Sequence, residues 1–275
     1  MPTPKNTSRS PSLAEVQAEL ADVKRHLAQQ EEARRNDLRI AERVHRSMLP
    51  KPVRHDRIHV DTRYVPVEEV GGDYCQVLFP DDAICYISIC DVTGHGLGPA
   101  MLATRFSSEV RRLVSLLLPP DEIVQKLNHF VFHNFMETRL QVTFFLTRFD
   151  FEKMSITFSG AGHPSALLIP HGSQSARSLD SQNMLIGVSE HCLSDRPSGT
   201  HRVSPGDRLI FFTDGVTETK GAEGKLLGTQ ELIHMATVTC AGDFASQADC
   251  LLEQINAFRV GPPLDDLTLI LAQLQ

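Results

Sequence analysis

Apolar residues recur at helical spacing in the first fifty positions. No Gly or Pro interrupts residues 12–49, and Ser12 with Glu15 has the spacing of a capping box. Steps of three and four residues, as in a heptad seam, connect Leu13, Val16, Leu20, Val23 and Leu27. The same face continues past two charged positions, with members Glu31, Arg34, Leu38, Ala41, Val44 and Met48. This pattern predicts a helix over residues 12–49.

A helix with so narrow an apolar stripe is marginal in isolation, so it should pair with something. We expect a coiled coil with a second copy of the chain, giving a homodimer through residues 12–49. The alternative is that the helix packs on the rest of the chain. The Pro/Ser/Thr-rich residues 1–11 are expected to form a disordered tail. Pro50 and Pro52 cannot continue the helix, so residues 50–275 should form a separate domain.

Alternating and continuous apolar runs after residue 57 predict many strands. The predicted strands are 58–65, 74–79, 84–90, 142–150, 154–159, 164–169, 199–203, 207–213 and 267–273. Helical periodicity predicts helices over 98–118, 121–136, 229–238 and 244–258. Strands come in runs, with helices in pairs between them. This order favours an α+β fold built on an antiparallel β-sandwich and argues against a βαβ repeat. The Ser- and Gly-rich segment 171–198 is expected to be a surface flap.

Charge narrows the classes of partner. Residues 1–57 hold 12 Lys or Arg against 8 Asp or Glu, whereas the remaining 218 hold 15 against 26, a net charge of −11. Because residues 58–275 are this acidic, nucleic acid is not expected to be the main ligand. No run of about 18 apolar residues is present, and the start of the chain lacks the apolar core of a secretory signal. We therefore expect a cytoplasmic protein with no membrane insertion.

Four motifs place Asp at the edge of an apolar strand, beside Gly or a turn. They are "VEEVGGDY" with Asp73, "SICDVTGHG" with Asp91, "LIFFTDGVTE" with Asp214, and "PLDDLTLIL" with Asp265 and Asp266. Each alone is typical of a turn. If the strands share one core, the carboxylates meet at one edge, where they repel each other unless cations neutralise them. Oxygen-only ligands select Mg²⁺ or Mn²⁺ over zinc, and two such ions about 4 Å apart could hold a hydroxide and clamp a phosphoryl group.

The motifs "GGDY", "DVTGHGLGPAM", "GAGHP", "TDGVTE" and "DDLTLI" occur in the order and rough spacing of the metal-dependent protein phosphatases (PPM, protein phosphatase 2C-like). From about residue 40 to 273 the chain most resembles the bacterial SpoIIE/RsbU branch. The resemblance implies a β-sandwich flanked by helices (αββα) that holds two Mn²⁺ or Mg²⁺ ions. It also implies hydrolysis of phosphoserine or phosphothreonine by a metal-bridging water, with no phosphoenzyme.

Carried over to this sequence, the resemblance implies that Asp91 bridges both metals and that the backbone carbonyl of Val92 binds one of them. Asp214 and Asp265 would hold the second metal, and Asp73 would act directly or through water. Asp91 and Asp214 would thus be catalytic through the metal-bound water. From the residues alone, either Asp265 or the adjacent Asp266 could touch metal. The family pattern favours Asp265 and leaves Asp266 as an acid beside the ligands that does not itself bind metal.

Three loop residues and one departure complete the predicted site. Gly94 and Gly96 should permit backbone conformations that bring Val92 near a metal. His95 is interpreted as a loop residue near the metals, with general acid to the leaving oxygen as the alternative. The branch usually continues "GGD" with an aromatic pair and another Asp, whereas this chain has "GGDYCQ". We interpret Cys75 and Gln76 as a change in nearby packing.

These observations predict a metal-dependent protein phosphatase acting on a bacterial signalling protein. The resemblance implies a phosphorylated STAS-domain anti-sigma-factor antagonist as substrate. Control is expected through the N-terminal helix, by dimerisation or by docking of an upstream activator. The alternative is a low-turnover scaffold or sensor that binds a signalling partner. A metal nuclease shares the acids but should bring a basic groove, which the charge of −11 opposes.

Overall fold

The computed structural model describes residues 12–94, 96–239 and 242–275. The predicted tail 1–11 and His95 therefore lie outside the described residues. The chain divides into two compact units between Val44 and His45. The first unit consists of helix α1 (Leu13–Met48) up to Val44, and the second contains the last turn of α1 and everything after it. The helix predicted over residues 12–49 is confirmed.

The second unit contains eleven strands and five further α-helices among the described residues. The strands are β1 Val53–His55, β2 Ile58–Val65, β3 Tyr74–Leu78, β4 Ile84–Val92, β5 Val142–Asp150, β6 Ser155–Ala161, β7 Ala166–Ile169, β8 Arg177–Leu179, β9 Gly199–Arg202, β10 Arg208–Phe212 and β11 Leu267–Leu274. The helices are α2 Leu97–Val114, α3 Pro120–Phe135, α4 Asp214–Thr217, α5 Gly228–His234 and α6 Phe244–Phe258. All nine predicted strands are present, whereas β1, β8 and α4 were missed.

The strands form two antiparallel sheets. One has the order β1-β2-β11-β10-β7-β8 and the other β3-β4-β5-β6-β9. Helices α2 and α3 pack on the second sheet, and α5 and α6 cover the first. A third apolar cluster lies between the two sheets. The predicted α+β sandwich flanked by helices is confirmed.

Strand β4 explains why the apolar run of residues 84–90 does not alternate. Cys85, Ile87 and Ile89 face the cluster between the sheets. Tyr86 and Cys90 face the cluster beneath α2 and α3. Because both faces of the strand are buried, both must be apolar. The strand therefore lies buried between β3 and β5, with Asp91 near its end.

Two segments differ in part from expectation. Residues 171–198 lie largely at the surface, as predicted, but the buried side chains of Leu179, Asn183, Ile186 and Cys192 anchor the segment to the domain. Helix α2 ends at Val114, earlier than predicted, because the chain turns through Leu117 at φ 56° before Pro119. Over the described residues, we find no helix with both the length and the apolar character needed to span a bilayer.

Candidate active site

Strand topology brings four of the five predicted acids to one edge of the sandwich. In the first sheet Phe212, at the end of β10, pairs with Leu269 of β11. Because these strands are antiparallel, Asp214 after β10 lies at the same edge as Asp265 and Asp266 before β11. In the second sheet Asp91 lies near the end of β4, one residue before Val92.

Asp73 joins the two sheets at this edge. It directly precedes β3, and its side chain is only 1% exposed. Its Oδ2 accepts hydrogen bonds from the hydroxyls of Thr213 at 2.9 Å and Thr268 at 2.6 Å. Thr213 follows β10 and Thr268 lies in β11, so both donors come from the opposite sheet. A buried carboxylate held by two hydroxyls has a fixed orientation, which a metal ligand needs.

The acids form one electrostatic group. Burial, followed by the charges of Asp214, Asp265 and Asp266, raises the pKa of Asp91 to about 7. Burial and then the charge of Asp91 raise the pKa of Asp73 well above its ordinary value. Crowded carboxylates that resist ionisation in the protein alone are the arrangement that a bound cation would stabilise.

Asp214 and Asp266 belong to the same group. The pKa of Asp214 is raised by burial and then by the charge of Asp265. The pKa of Asp266 is raised by burial, against the backbone N–H groups that hold its carboxylate. Each acid therefore has at least one other acid as an electrostatic neighbour.

Asp265 and Asp266 differ in what their carboxylates contact. Asp266 is buried, and it accepts hydrogen bonds from the backbone N–H groups of Val67 at 2.8 Å and Gly72 at 3.0 Å. Its two oxygens therefore hold the loop that leads into Asp73. Asp265 is exposed, and its Oδ1 accepts only the adjacent backbone N–H of Asp266 among the described hydrogen bonds, at 2.8 Å. Among the described hydrogen bonds, the second carboxylate oxygen of Asp265 has no donor.

The backbone around Val92 requires glycine. A Cβ on Gly72 would lie 2.4 Å from the carbonyl oxygen of Val92, and the Val92 N–H donates to the Gly72 carbonyl at 3.3 Å. Any side chain at residue 72 would therefore displace this carbonyl. Gly94 and Gly96 adopt φ angles of 91° and 88°, which favour glycine.

Sequence reasoning missed three side chains that hold the site together. Thr213 and Thr268 orient Asp73, and the Nε2 of His45 lies 3.1 Å from the Asp73 carbonyl oxygen. His45 lies between Ala41 and Met48 at steps of four and three, so its place on the apolar stripe was a usable signal. Thr213 and Thr268 gave a weaker signal in the sequence, as polar residues close to acids at the ends of otherwise apolar strands.

The predicted packing change after Asp73 has a structural counterpart. Cys75 is buried in the cluster between the sheets. Gln76 is also buried, and its side-chain amide donates to the hydroxyl of Tyr74 at 2.7 Å and to the carbonyl of Ser107 in α2 at 3.1 Å. These residues thus tie β3 to the core and to α2.

The donor set fits hard divalent cations. The side chains are all carboxylates, joined by a backbone carbonyl, and no thiol or imidazole is needed. In the described part of the chain, the acids are not drawn together into a cage of three or more metal-ligating side chains. The fit therefore rests on the type of donor, the fixed carboxylate of Asp73 and the mutual repulsion of the acids.

Comparison with known proteins decides the family. Residues 81–275 match the family described as Stage II sporulation protein E (SpoIIE). The chain belongs to the SpoIIE family. Two relatives from Bacillus subtilis (strain 168) are phosphoserine phosphatases. RsbU is 23% identical over 239 residues, 86% of this chain and 69% of RsbU. RsbP is 27% identical over 187 residues, 67% of this chain and 46% of RsbP.

Solved structures of PP2C domains have the same fold. The SiaA-PP2C domain of Pseudomonas aeruginosa superposes with a TM-score of 0.76 at 18% identity, covering 90% of this chain and 98% of that domain. The PP2C phosphatase domain of SpoIIE from Bacillus subtilis, solved with a fragment of its regulatory domain, gives 0.69 at 16% identity. That match covers 80% of this chain and 63% of the other. The SpoIIE-family domain of this chain thus has the PP2C fold.

Proposed function

We propose that this SpoIIE-family chain is a Mn²⁺- or Mg²⁺-dependent protein phosphatase that hydrolyses phosphoserine or phosphothreonine. The observation that carries the proposal is the electrostatic group of acids at the sandwich edge, where Asp91 has a pKa raised to about 7 by burial and by its acidic neighbours. Such a group is unfavourable by itself and favourable around cations. Similarity to two phosphoserine phosphatases supports the same activity.

Each acid has a distinct part in this proposal. Asp91 would bridge two metal ions, and the carbonyl of Val92 would complete the coordination of one. Asp214 and Asp265 would hold the other, and Asp73 would contribute directly or through water. When bound, the ions would supply an activated water and neutralise the phosphoryl oxygens. Thr213 and Thr268 fix the Asp73 carboxylate, and Asp266 fixes the loop before it.

Two charge-neutral substitutions test the proposal. Asp91→Asn and Asp214→Asn should each reduce Mn²⁺-stimulated hydrolysis of p-nitrophenyl phosphate at least about 100-fold, because a metal bridge or ligand is lost. Asp195→Asn, at an exposed acid outside the group, is the matched control. Activity surviving both site substitutions would exclude this metal mechanism. A wild-type protein that binds phosphoprotein without releasing phosphate would favour the scaffold interpretation.

We further propose a phosphorylated STAS-domain anti-sigma-factor antagonist as the substrate. The support is the similarity to RsbU and RsbP. Phosphate release from a panel of phosphorylated STAS-domain proteins would test it, with unrelated phosphoserine proteins as the comparison. Equal rates on both sets would contradict this substrate class.

The N-terminal helix is proposed to pair two chains and to control the phosphatase. Its predicted seam residues are solvent-exposed: Leu13, Val16, Leu20, Val23 and Leu27. Five exposed apolar side chains in a heptad pattern are what a coiled-coil partner, or an upstream activator docking there, would cover. Light scattering of the chain lacking residues 1–40 should report a monomer where the full chain is a dimer. A monomeric full chain would contradict the pairing.

A further inference from the structure

A cavity of about 360 Å³ opens beside the acids. One wall is the segment after Asp214, and the other is the segment between α6 and β11. Gly215, Glu218 and Lys220 line the first wall; Arg259, Leu264 and Asp265 are among those lining the second. The cavity is therefore lined by the two segments that carry the proposed metal ligands Asp214 and Asp265.

The two walls are joined by backbone contacts. The N–H of Val260 donates to the carbonyl of Lys220 at 2.9 Å. Gly221 lies so close to Phe258 that a Cβ there would be 2.7 Å from its ring. Lys220 also forms an antiparallel bridge with Leu226. These contacts hold both walls in place, so the cavity is preformed.

The lining of the cavity contains both acidic and basic side chains. Asp265 and Glu218 are its acids, and the charge of Glu218 contributes to the raised pKa of Asp214. The rest of the lining contains two cations, Lys220 and Arg259. Neither forms an ion pair within the described part of the chain. Two unpaired cations beside an acidic site, in a body of charge −11, are available to an anionic partner.

Apolar side chains accompany these cations. Val260 and Leu264 are 64% and 65% exposed. Pro262 and Pro263 lie between them and also line the cavity. Exposed aliphatic groups can pack on the side chains of a bound polypeptide, and the neighbouring cations can pair with its acidic residues. A free phosphate or a small sugar would use the cations alone and leave this apolar wall unexplained.

We propose that this cavity is a substrate subsite that receives the polypeptide segment next to the phosphoserine. An acidic side chain of the substrate lies between Lys220 and Arg259, and a neighbouring apolar side chain packs on Val260 and Leu264. The inference rests on the proposed phosphatase function and adds a specificity to it: substrates with an acidic residue near the phosphoserine are preferred. The subsite selects substrates and takes no part in the chemistry.

Paired phosphopeptides test this specificity. Two synthetic peptides carry one phosphoserine and differ only in having Asp or Asn at the flanking positions. With the Mn²⁺-loaded full chain we expect kcat/KM to be about 5-fold to 20-fold higher for the Asp peptide, since each exposed ion pair contributes up to about 5-fold. Lys220→Glu and Arg259→Glu should remove or reverse that preference. Their hydrolysis of p-nitrophenyl phosphate, which has no peptide segment, should stay within about 2-fold of wild type.

A second readout does not depend on turnover. Fluorescence anisotropy of the labelled, unphosphorylated Asp peptide should show weaker binding to both variants than to wild type. Lys225→Glu makes the same charge change at an exposed lysine outside the cavity lining and should leave the preference intact. An equal effect of Lys225→Glu would mean that net charge alone matters and would overturn the subsite.

The remaining outcomes separate the subsite from the phosphatase proposal. If wild type hydrolyses p-nitrophenyl phosphate and both peptides at equal rates, the subsite is wrong and the phosphatase proposal stands. If the Glu variants lose p-nitrophenyl phosphate hydrolysis in proportion to peptide hydrolysis, the cations serve the phosphoryl group, and the flanking-segment assignment is wrong. If wild type releases phosphate from none of these substrates with Mn²⁺, the phosphatase proposal itself fails.

Discussion

The imidazole of His45 contacts the backbone of Asp73, with Nε2 3.1 Å from the Asp73 carbonyl oxygen. A carbonyl only accepts, so Nε2 carries the proton and donates. The ring is buried, lies 5.3 Å from the ring of Tyr64, and has a pKa lowered by burial, which keeps it neutral. The last turn of α1 thus contacts the residue proposed to help hold the metals.

Replacing His45 should weaken metal binding. In His45→Ala the Asp73 carbonyl loses its donor, so we expect the Mn²⁺ concentration for half-maximal activity to rise about 5-fold to 10-fold, the equivalent of one hydrogen bond. Phosphate release measured across a Mn²⁺ titration checks this. His45→Gln, which can still donate, should recover part of the effect, and His26→Ala, at an exposed histidine of the same helix, should have none. An unchanged titration in His45→Ala would rule out a positioning role.

The hydroxyls that hold Asp73 should stabilise the fold. Thr268→Val removes a 2.6 Å hydrogen bond to a buried carboxylate at nearly constant volume, so the free energy of unfolding should fall by about 1–3 kcal/mol. Urea denaturation measures this. Thr147→Val is the matched control: Thr147 is fully buried, but its hydroxyl has no partner among the described residues. A control variant as destabilised as Thr268→Val would show that the loss reflects packing alone.

Neutralising Asp91 should stabilise the metal-free protein. The pKa of Asp91 is raised to about 7 by burial and then by the charges of Asp214, Asp265 and Asp266. Since the folded pKa lies above the ordinary value of 3.8, stability falls as pH rises from about 4 through 7. In EDTA at pH 8 we expect the free energy of unfolding of Asp91→Asn to exceed that of wild type by about 1–2 kcal/mol, after allowance for solvent screening. The difference should shrink at pH 5.5.

Added Mn²⁺ provides the control for Asp91. It should raise the melting temperature of wild type more than that of Asp91→Asn, because the variant lacks the bridging charge. Thermal denaturation in EDTA and in Mn²⁺ at the two pH values gives the four measurements. An Asn variant that is less stable than wild type in EDTA at pH 8 would contradict the charge-repulsion account.

Buried His163 should make the fold sensitive to acid. Its Nδ1 lies 2.8 Å from the Thr143 hydroxyl, and burial lowers its pKa from 6.5 to about 3. A depressed histidine pKa gives stability that is complete above pH 6.5 and is lost as pH falls toward 3. Between pH 7 and pH 5 the free energy of unfolding of wild type should therefore fall by about 2 kcal/mol. His163→Asn should not show this loss.

The measurement for His163 is the change in unfolding free energy between the two pH values, so a general destabilisation by the substitution cancels. His191→Asn, at an exposed histidine, should follow wild type. Parallel pH profiles for wild type and His163→Asn would mean that this imidazole does not couple folding to protons.

Local patterns were sufficient for much of the fold. The helix over residues 12–49 was predicted from heptad spacing, a capping box and Pro50, and the structure places α1 at Leu13–Met48. The apolar runs predicted nine of the strands. The short strand β8 was missed because three residues, two of them exposed, carry no periodic signal. The Ser and Gly content of residues 171–198 predicts their surface position but does not reveal the four buried side chains that anchor them, Leu179, Asn183, Ile186 and Cys192.

The five acids show what the local sequence can predict about the site and what it cannot. Strand-end motifs singled out Asp73, Asp91, Asp214, Asp265 and Asp266, because an acid after an apolar strand is visible in the sequence itself. The sequence could not separate Asp265 from Asp266. Only the fold shows that Asp266 binds the backbone of Val67 and Gly72, about 200 residues away along the chain, while Asp265 stays exposed.

By itself, then, the sequence determined most of the elements, the fold class and the candidate acids, since periodicity, caps and turn residues act between neighbours along the chain. Tertiary structure alone decided which groups meet: the hydroxyls of Thr213 and Thr268 on Asp73, His45 beneath it, and the cations Lys220 and Arg259 beside the acids. Those contacts join residues up to 195 positions apart. They depend on how two sheets pack, which no local pattern encodes.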